Sequence, residues 1–502
     1  MAGQSSSARG GSRRLLPRKR ANVEAYRNSG HSSLLCYPQG ILDCHCTIQK
    51  KTVVIIKLRK LLLIGIIGLL SLSGIGQELI SAQHQPGNFK PSGARHQTRF
   101  APTLGADIEF AGKPSPLIDG WLDKREGVAM VAAFRSAGLK SLRFSSHGFY
   151  SPRGPEATER LKAENRLTNV YDWFPIDAYA DFIASYEFTS VVGINVEEGP
   201  EVARTAIQKF LDRGLRSKIV AIELSNEPWL NHRPWLPEEY ASRAADVIEA
   251  LMPMGLRFGL PLTVGSDNNT PTKLSDNEWV TRMLRTLSAR IDLKNRPDIY
   301  GVVHLYSKGV RGASIDYFNR VVSPFAPNIR YLVTEFNIRL GLEGNPHLTN
   351  KYAMEFSRKV ADVLSRPEID AIYTHNVPAH SIVYWSNGRR YASVVGGRDD
   401  RLTGEAMARG WHLTPTGKVY ELYSRLAWNG EVITYRGGDK QSYWAVRSGA
   451  GRVVVTLVND TNQEAKKKVT VAGREVTVVA PPRSITCVDW SGKEIERLLL
   501  PY

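Results

Sequence analysis

From residue 100 onward, short apolar runs alternate with amphipathic stretches, and no other feature of the chain constrains its fold as strongly. The runs lie at 103–110, 140–145, 189–195, 218–225, 260–265, 299–306, 330–336 and 369–374. Between them, residues 125–137, 201–213, 237–251, 277–290, 315–322 and 351–364 repeat apolar positions at helical spacing. A further helical stretch lies at 177–186, after an insertion at 146–176, and an eighth at 412–426. Strand–helix–strand repetition builds parallel sheet. Eight strands and eight helices over about 330 residues predict an α/β fold of (β/α)8 TIM-barrel type. A doubly wound open sheet would carry a Gly-rich phosphate turn after its first strand, and Leu104-Gly105-Ala106-Asp107 is not one.

After Trp428 the period changes. Runs at 431–435, 442–446, 452–458, 468–471, 475–479 and 485–490 are punctuated by Gly, Asn and Asp, the pattern of a small C-terminal antiparallel β-sandwich. Its valines (Val453, Val455, Val458, Val469, Val471, Val476, Val478, Val479) offer more apolar surface than about sixty residues bury alone. One face is therefore expected against the barrel. The reading divides the chain into an N-terminal region at 1–98, a barrel at 99–429 and a β-domain at 430–502.

The N-terminal region stands apart in charge. Residues 1–60 hold twelve Lys or Arg against Glu24 and Asp43, leaving only +7 of the chain's net +17 for the other 442 residues. That remainder is diffuse, with Lys466-Lys467-Lys468 its one short block, so no nucleic-acid partner is expected. Residues 61–76 carry no charge and follow Lys57, Arg59 and Lys60, the order of an export signal. The signal or anchor segment spans about 53–82; an uncleaved membrane anchor through 61–76 is the rival reading. Either places the barrel outside the cytoplasmic membrane: periplasmic, secreted or held on its outer face. Because no Met lies between Met1 and Met130, a start near Val53 or Val54 at a non-ATG codon is expected. Cys36, Cys44 and Cys46 precede the barrel and only Cys487 follows, so no disulfide forms within the folded part. Cys44-His45-Cys46 has no second ligand pair to complete a metal site.

Barrel chemistry gathers at the C-terminal ends of the strands. The fourth run ends in Glu223-Leu224-Ser225-Asn226-Glu227-Pro228-Trp229 and the seventh in Thr334-Glu335-Phe336-Asn337. Each sets a Glu where the apolar run stops, and strands four and seven face one another across the barrel mouth. Two carboxylates so placed suit glycoside hydrolysis. Glu223 lies four before Glu227, so it points inward one layer deeper, as the buried partner of a barrel cation. His304 and Tyr306 share one face of their strand by period two.

Asn226-Glu227-Pro228 with Glu223, and Thr334-Glu335-Phe336-Asn337, resemble the retaining glycoside hydrolases of clan A over residues 100–490. Thr-Glu-Phe-Asn with a trailing β-domain is most similar to family 39, with features of families 51 and 79. The resemblance implies that Glu227 is the acid/base and Glu335 the nucleophile. It implies that Arg143 and Tyr306 flank the nucleophile, that Asn226 bonds the sugar 2-hydroxyl, and that His304 lines the sugar site rather than serving as a core histidine. Asn195, His375 or Asn376, Trp229 and Trp385 are candidate sugar contacts; Trp385 is mapped either after strand eight or, if that strand is 381–385, within it. No metal motif appears, and hydrolysis by two carboxylates requires no cofactor. The expected partner is an oligosaccharide or polysaccharide of plant, microbial or matrix origin. A non-catalytic carbohydrate-binding barrel and a transglycosidase are the alternatives.

Overall fold

The structure is a computed structural model that describes residues 103–108, 124–144, 176–229, 235–262, 274–306, 313–338, 349–377, 382–386, 410–427, 430–437, 440–448 and 451–502. The export segment, the three N-terminal cysteines and nearly all of the 146–176 insertion lie outside the described residues.

Eight parallel strands close into a barrel in sequence order. They are β1 (Thr103–Ile108), β2 (Ser141–Phe144), β3 (Thr189–Ile194), β4 (Ile219–Leu224), β5 (Phe258–Leu262), β6 (Ile299–Tyr306), β7 (Arg330–Asn337) and β8 (Ile369–Val377). The helices are α1 (Lys124–Ser136), α2 (Ile176–Tyr186), α3 (Pro200–Leu211), α4 (Pro237–Leu251), α5 (Asp276–Ser288), α6 (Ala313–Val322), α7 (Asn350–Leu364) and α8 (Pro415–Ala427). Local chemistry sets their starts. Pro200 and Pro237 open α3 and α4, where a missing N–H costs nothing. Ser275 and Thr349 accept the backbone N–H of Glu278 and Tyr352 at the heads of α5 and α7.

The barrel interior is filled by Val191, Ala221, Val302, Leu332, Ala371 and Tyr373, with Tyr300. Tyr373 explains the glycine in β1: a Cβ on Gly105 would lie 2.4 Å from the tyrosine ring. The ring lies over Gly105, and its hydroxyl reaches the next strand to bond Ser141 Oγ at 2.8 Å.

Two sequence expectations need correction. The eighth helix begins at Pro415, not at 412, because Thr414 caps it through Gly417 N–H (2.8 Å) and a residue before proline avoids helical geometry. Residues 410–413 instead form strand β10 (Gly410–Leu413), antiparallel to β9 (Val383–Ser386). Trp385 therefore sits on a separate ribbon opposite Trp411, and strand eight is Ile369–Val377.

The C-terminal part has a five-stranded antiparallel sheet, β11 (Glu431–Arg436), β12 (Gln441–Arg447), β13 (Val453–Asn459), β16 (Ser484–Asp489) and β17 (Glu494–Leu499), in that order. A hairpin of β14 (Ala465–Val471) and β15 (Arg474–Ala480) covers one face. The sheet thus runs beyond residue 490, where the sequence pattern stops. Most of the valines (Val453, Val455, Val469, Val471, Val476, Val478) fill the space between sheet and hairpin, and Val479 is exposed. The barrel side is made by one of those valines, Val458, together with Trp444, Val446, Val454, Ile485 and Cys487, which join the barrel's own core. Trp444 packs edge-on against Tyr423 of α8 at 4.8 Å, and β13 is buried along its whole length. Deleting residues 430–502 would uncover the fully buried Tyr423, and insoluble protein is the expected result. A soluble truncation with full activity, seen by gel filtration and assay, would show the sheet to be detachable.

Candidate active site

The upper layer of the barrel is polar. Asp107, Arg143, Glu223, Glu227, His304 and Glu335 come from five strands or their ends (β1, β2, β4, β6 and β7), and Asp107, Arg143 and Glu223 are fully buried. The end of β4 is held under strain. Ser225 (φ 69°) and Glu227 (φ 39°) both adopt positive φ although neither is glycine, a conformation that costs about 1–3 kcal/mol per residue. Surrounding bonds enforce it. Ser225 N donates to Ile194 O (2.8 Å), Ser225 Oγ accepts from Val196 N (3.2 Å), and Tyr240 Oη donates to Leu224 O (2.6 Å).

Glu335 is aimed by a β-bulge. Along β7, Val333 faces Val303 of β6, yet Glu335 faces the next residue, His304; against β8, Val333 and Phe336 face Ile372 and Thr374. Thr334 is the extra residue. Leu332 points into the lumen while Val333 and Phe336 pack outward, with Phe336 edge-on to Phe356 of α7. Strict alternation from Leu332 would have turned Thr334 inward; the bulge gives that direction to Glu335. Asn337 locks the strand end, accepting from Ile338 N (2.8 Å) and from the Tyr352 hydroxyl.

Arg143 is the hub. Nε and Nη2 donate to the two oxygens of Glu223 (2.8 and 2.6 Å), Nη1 donates to Glu335 Oε1 (2.6 Å), and Nη2 also reaches Asn226 Oδ1 (2.7 Å). Asp107 Oδ1 lies 3.2 Å from Nη1. Burial alone would lower the basicity of Arg143, but the charges of Glu223, Asp107 and Glu335 outweigh it and fix the guanidinium as a cation. Burial would raise Glu223, and the Arg143 charge overrides it, holding that carboxyl below its usual range. Glu223 is thus the buried partner of a barrel cation, as its spacing implied.

His304 stands between the two carboxylates. Nδ1 is 2.8 Å from Glu227 Oε1 and 3.5 Å from Glu335 Oε2. Burial would lower its pKa, but the Glu335 charge and hydrogen bonds to Glu223 and Glu227 push it up to about 10. The ring is then an imidazolium donating to Glu227, and its 3.4 Å approach to Arg143 Nη2 is a meeting of two donors rather than a bond. A group whose pKa is raised on folding stabilises the protein below its unfolded value and loses that contribution as pH rises through the folded one. Melting temperature should therefore fall as pH rises from 6.5 to about 10, and His304→Asn should flatten that part of the curve.

Glu227, His304 and Glu335 each offer one ligand atom within 4.8 Å of the others, a nitrogen and two oxygens of a type that metals accept. The fit is poor, because Arg143 already occupies Glu335 at 2.6 Å and the proton on His304 competes for Nδ1.

The structure brings Glu227, Glu335, Asn226, Arg143 and His304 together. Tyr306 ends β6 opposite Asn337, and His375 lies on β8; with Asn376 and Trp385 their side chains lie outside the described residues. Asn195 serves as a cap, its Oδ1 accepting from Glu197 N (3.0 Å). Trp229 is 6% exposed and packs edge-on against Trp279 at 5.5 Å, which leaves little ring face for a sugar. Asp107 is the residue that sequence reading missed; a charged side chain near the end of an apolar barrel strand was its signal.

No protein-family model and no curated protein matches this sequence. Among solved structures, an endo-β1,6-glucanase superposes with a TM-score of 0.50 at 14% identity, covering 80% of this chain and 93% of that one. A family 51 arabinofuranosidase from Xanthomonas axonopodis pv. citri (TM-score 0.48, 14% identity, 80% and 94% covered) and a family 39 β-xylosidase from Caulobacter crescentus (0.46, 13%, 71% and 76%) also align. At 14% identity the likeness to the glucanase is one of fold alone.

Proposed function

We propose that this chain is an exported glycoside hydrolase that cleaves an oligosaccharide or polysaccharide by double displacement with retention of configuration. The observation that carries the reading is the closeness of its two carboxylates: one oxygen of Glu227 and one of Glu335 lie within 4.8 Å. Retaining sites hold their carboxyl groups ~5–5.5 Å apart, whereas inverting sites need ~6.5–9.5 Å to admit a water between them. Glu335, gripped by Arg143 at 2.6 Å, is the nucleophile. It attacks the anomeric carbon as Glu227 protonates the departing oxygen, giving a glycosyl-enzyme ester. Glu227, then a base, activates the water that releases the sugar. The 2.8 Å bond between His304 Nδ1 and Glu227 Oε1 orients that carboxyl and keeps a proton within reach of it. Asn226, fixed by Arg143, is set to hold the sugar 2-hydroxyl, a bond that strengthens in the oxocarbenium-like transition state. Export rests on the uncharged segment at 61–76 behind Lys57, Arg59 and Lys60; among the described residues no helix is long and apolar enough to cross a membrane.

A panel of aryl glycosides differing in sugar identifies the substrate, and proton NMR of the first product then reads the anomer. Retention is expected. An inverted first product would overturn the mechanism, and sugar binding without turnover on any glycoside would favour a non-catalytic barrel.

A further inference from the structure

We propose that Asp107 is a positioning residue that acts through Arg143 to set the basicity of Glu335; this rests on the reading of Glu335 as nucleophile. Asp107 and Arg143 are direct partners in the β1–β2 ladder, so the backbone fixes their approach. Asp107 is fully buried. Arg143 spends Nε and Nη2 on the two oxygens of Glu223, which holds the plane of its guanidinium. The remaining nitrogen, Nη1, donates to Glu335 Oε1 at 2.6 Å and also stands 3.2 Å from Asp107 Oδ1, an ion pair without a hydrogen bond.

A cation that faces two anions is partly neutralised by each, so each feels less of its charge. With Asp107 charged, part of the Arg143 charge is offset from the β1 side, and Glu335 keeps more of its electron density for attack. Neutralising Asp107 would leave the Arg143 charge less offset at Glu335 and remove one negative charge from the layer. Both changes favour ionised Glu335 and make it a weaker nucleophile. The other groups facing this cluster are Glu223 and Glu227 from the end of β4, His304 from β6, Tyr179 from α2 and Tyr373 from β8. Burial lifts both tyrosines far above neutrality, so neither changes charge in the working range. Of the two acids of the layer that take no part in the bond changes, Glu223 is held by two hydrogen bonds from Arg143, whereas Asp107 meets it through charge.

The test is Asp107→Asn, read first by carboxyl-carbon NMR of protein labelled at Asp and Glu, with the Glu335 signal assigned through Glu335→Gln. The Glu335 midpoint is expected to move to lower pH by about half a unit or more. The acidic limb of kcat/KM should move with it, and kcat should fall about tenfold with KM within about twofold, as for a group acting only in the chemical step. A folded Asp107→Asn with an unmoved Glu335 midpoint and an unmoved limb overturns the proposal. If the variant does not fold, the wild-type protein decides: an Asp107 signal that remains a carboxylate through the Glu335 midpoint supports the role, and a protonated one ends it. A midpoint that moves in a protein that turns over no glycoside would support the Asp107 linkage and sink the hydrolase reading instead.

Discussion

Replacing Glu335 by Gln should lower kcat by about 10^4-fold or more on every substrate, since it removes the atom that forms the covalent bond. The amide keeps the shape and can still accept from Arg143 Nη1, 2.6 Å away in the parent, so the fold should survive. Glu227→Ala should behave differently. It spares the first step for aryl glycosides whose leaving group needs little protonation, and blocks it for poor leaving groups. A plot of rate against leaving-group pKa distinguishes the two: steep for Glu227→Ala, uniformly low for Glu335→Gln. Equal losses across the series for Glu227→Ala would remove it from the acid role.

Arg143→Met should have the largest effect on stability. Three buried carboxylates, Asp107, Glu223 and Glu335, lie within 3.2 Å of its nitrogens. Removing the one guanidinium among them leaves uncompensated charge in the interior, which costs about 3–5 kcal/mol. The sign of the pH dependence follows. Without the cation, the folded pKa values of these acids rise above their unfolded values of about 4. The penalty is then full at neutral pH and fades as the acids take up protons. In the parent the reverse holds for Glu223, whose depressed pKa contributes stability that is lost on acidification. Thermal melts of the two proteins should therefore lie far apart at pH 7 and converge toward pH 4.5. A constant gap would mean that the loss is one of packing volume, not of charge.

The barrel was legible because its signal is collective: eight apolar runs at regular spacing leave few alternatives. The two glutamates were legible because each ends such a run. Direction was not. From Leu332, alternation turns Thr334 inward, and only the extra residue seen against both β6 and β8 gives that place to Glu335. Asp107 was missed for a related reason, since its meaning depends on Arg143 across a ladder that the sequence does not number. Asn195 and Trp229 suggest sugar contacts by position alone; the cap that Asn195 places on Glu197 N is a local turn, and the Trp279 ring beside Trp229 is a tertiary neighbour that position does not reveal. Residues 412 and 413 read as helix because their apolar spacing joins that of α8, while Thr414-Pro415 marks the break.

The positive φ angles of Ser225 and Glu227 bear on how such a protein adapts to heat. A turn holding about 1–3 kcal/mol per strained residue is an obvious place for selection to recover thermal tolerance, and Ser225→Gly would recover part of it. That change would also delete the oxygen that accepts from Val196 N and free the peptide that points Glu227 across the mouth. At this turn, tolerance of heat and speed of turnover are opposed. A lineage moving into hotter surroundings must then find its extra stability at distant places, such as the loops and the outer faces of the helices, and leave these two residues under tension.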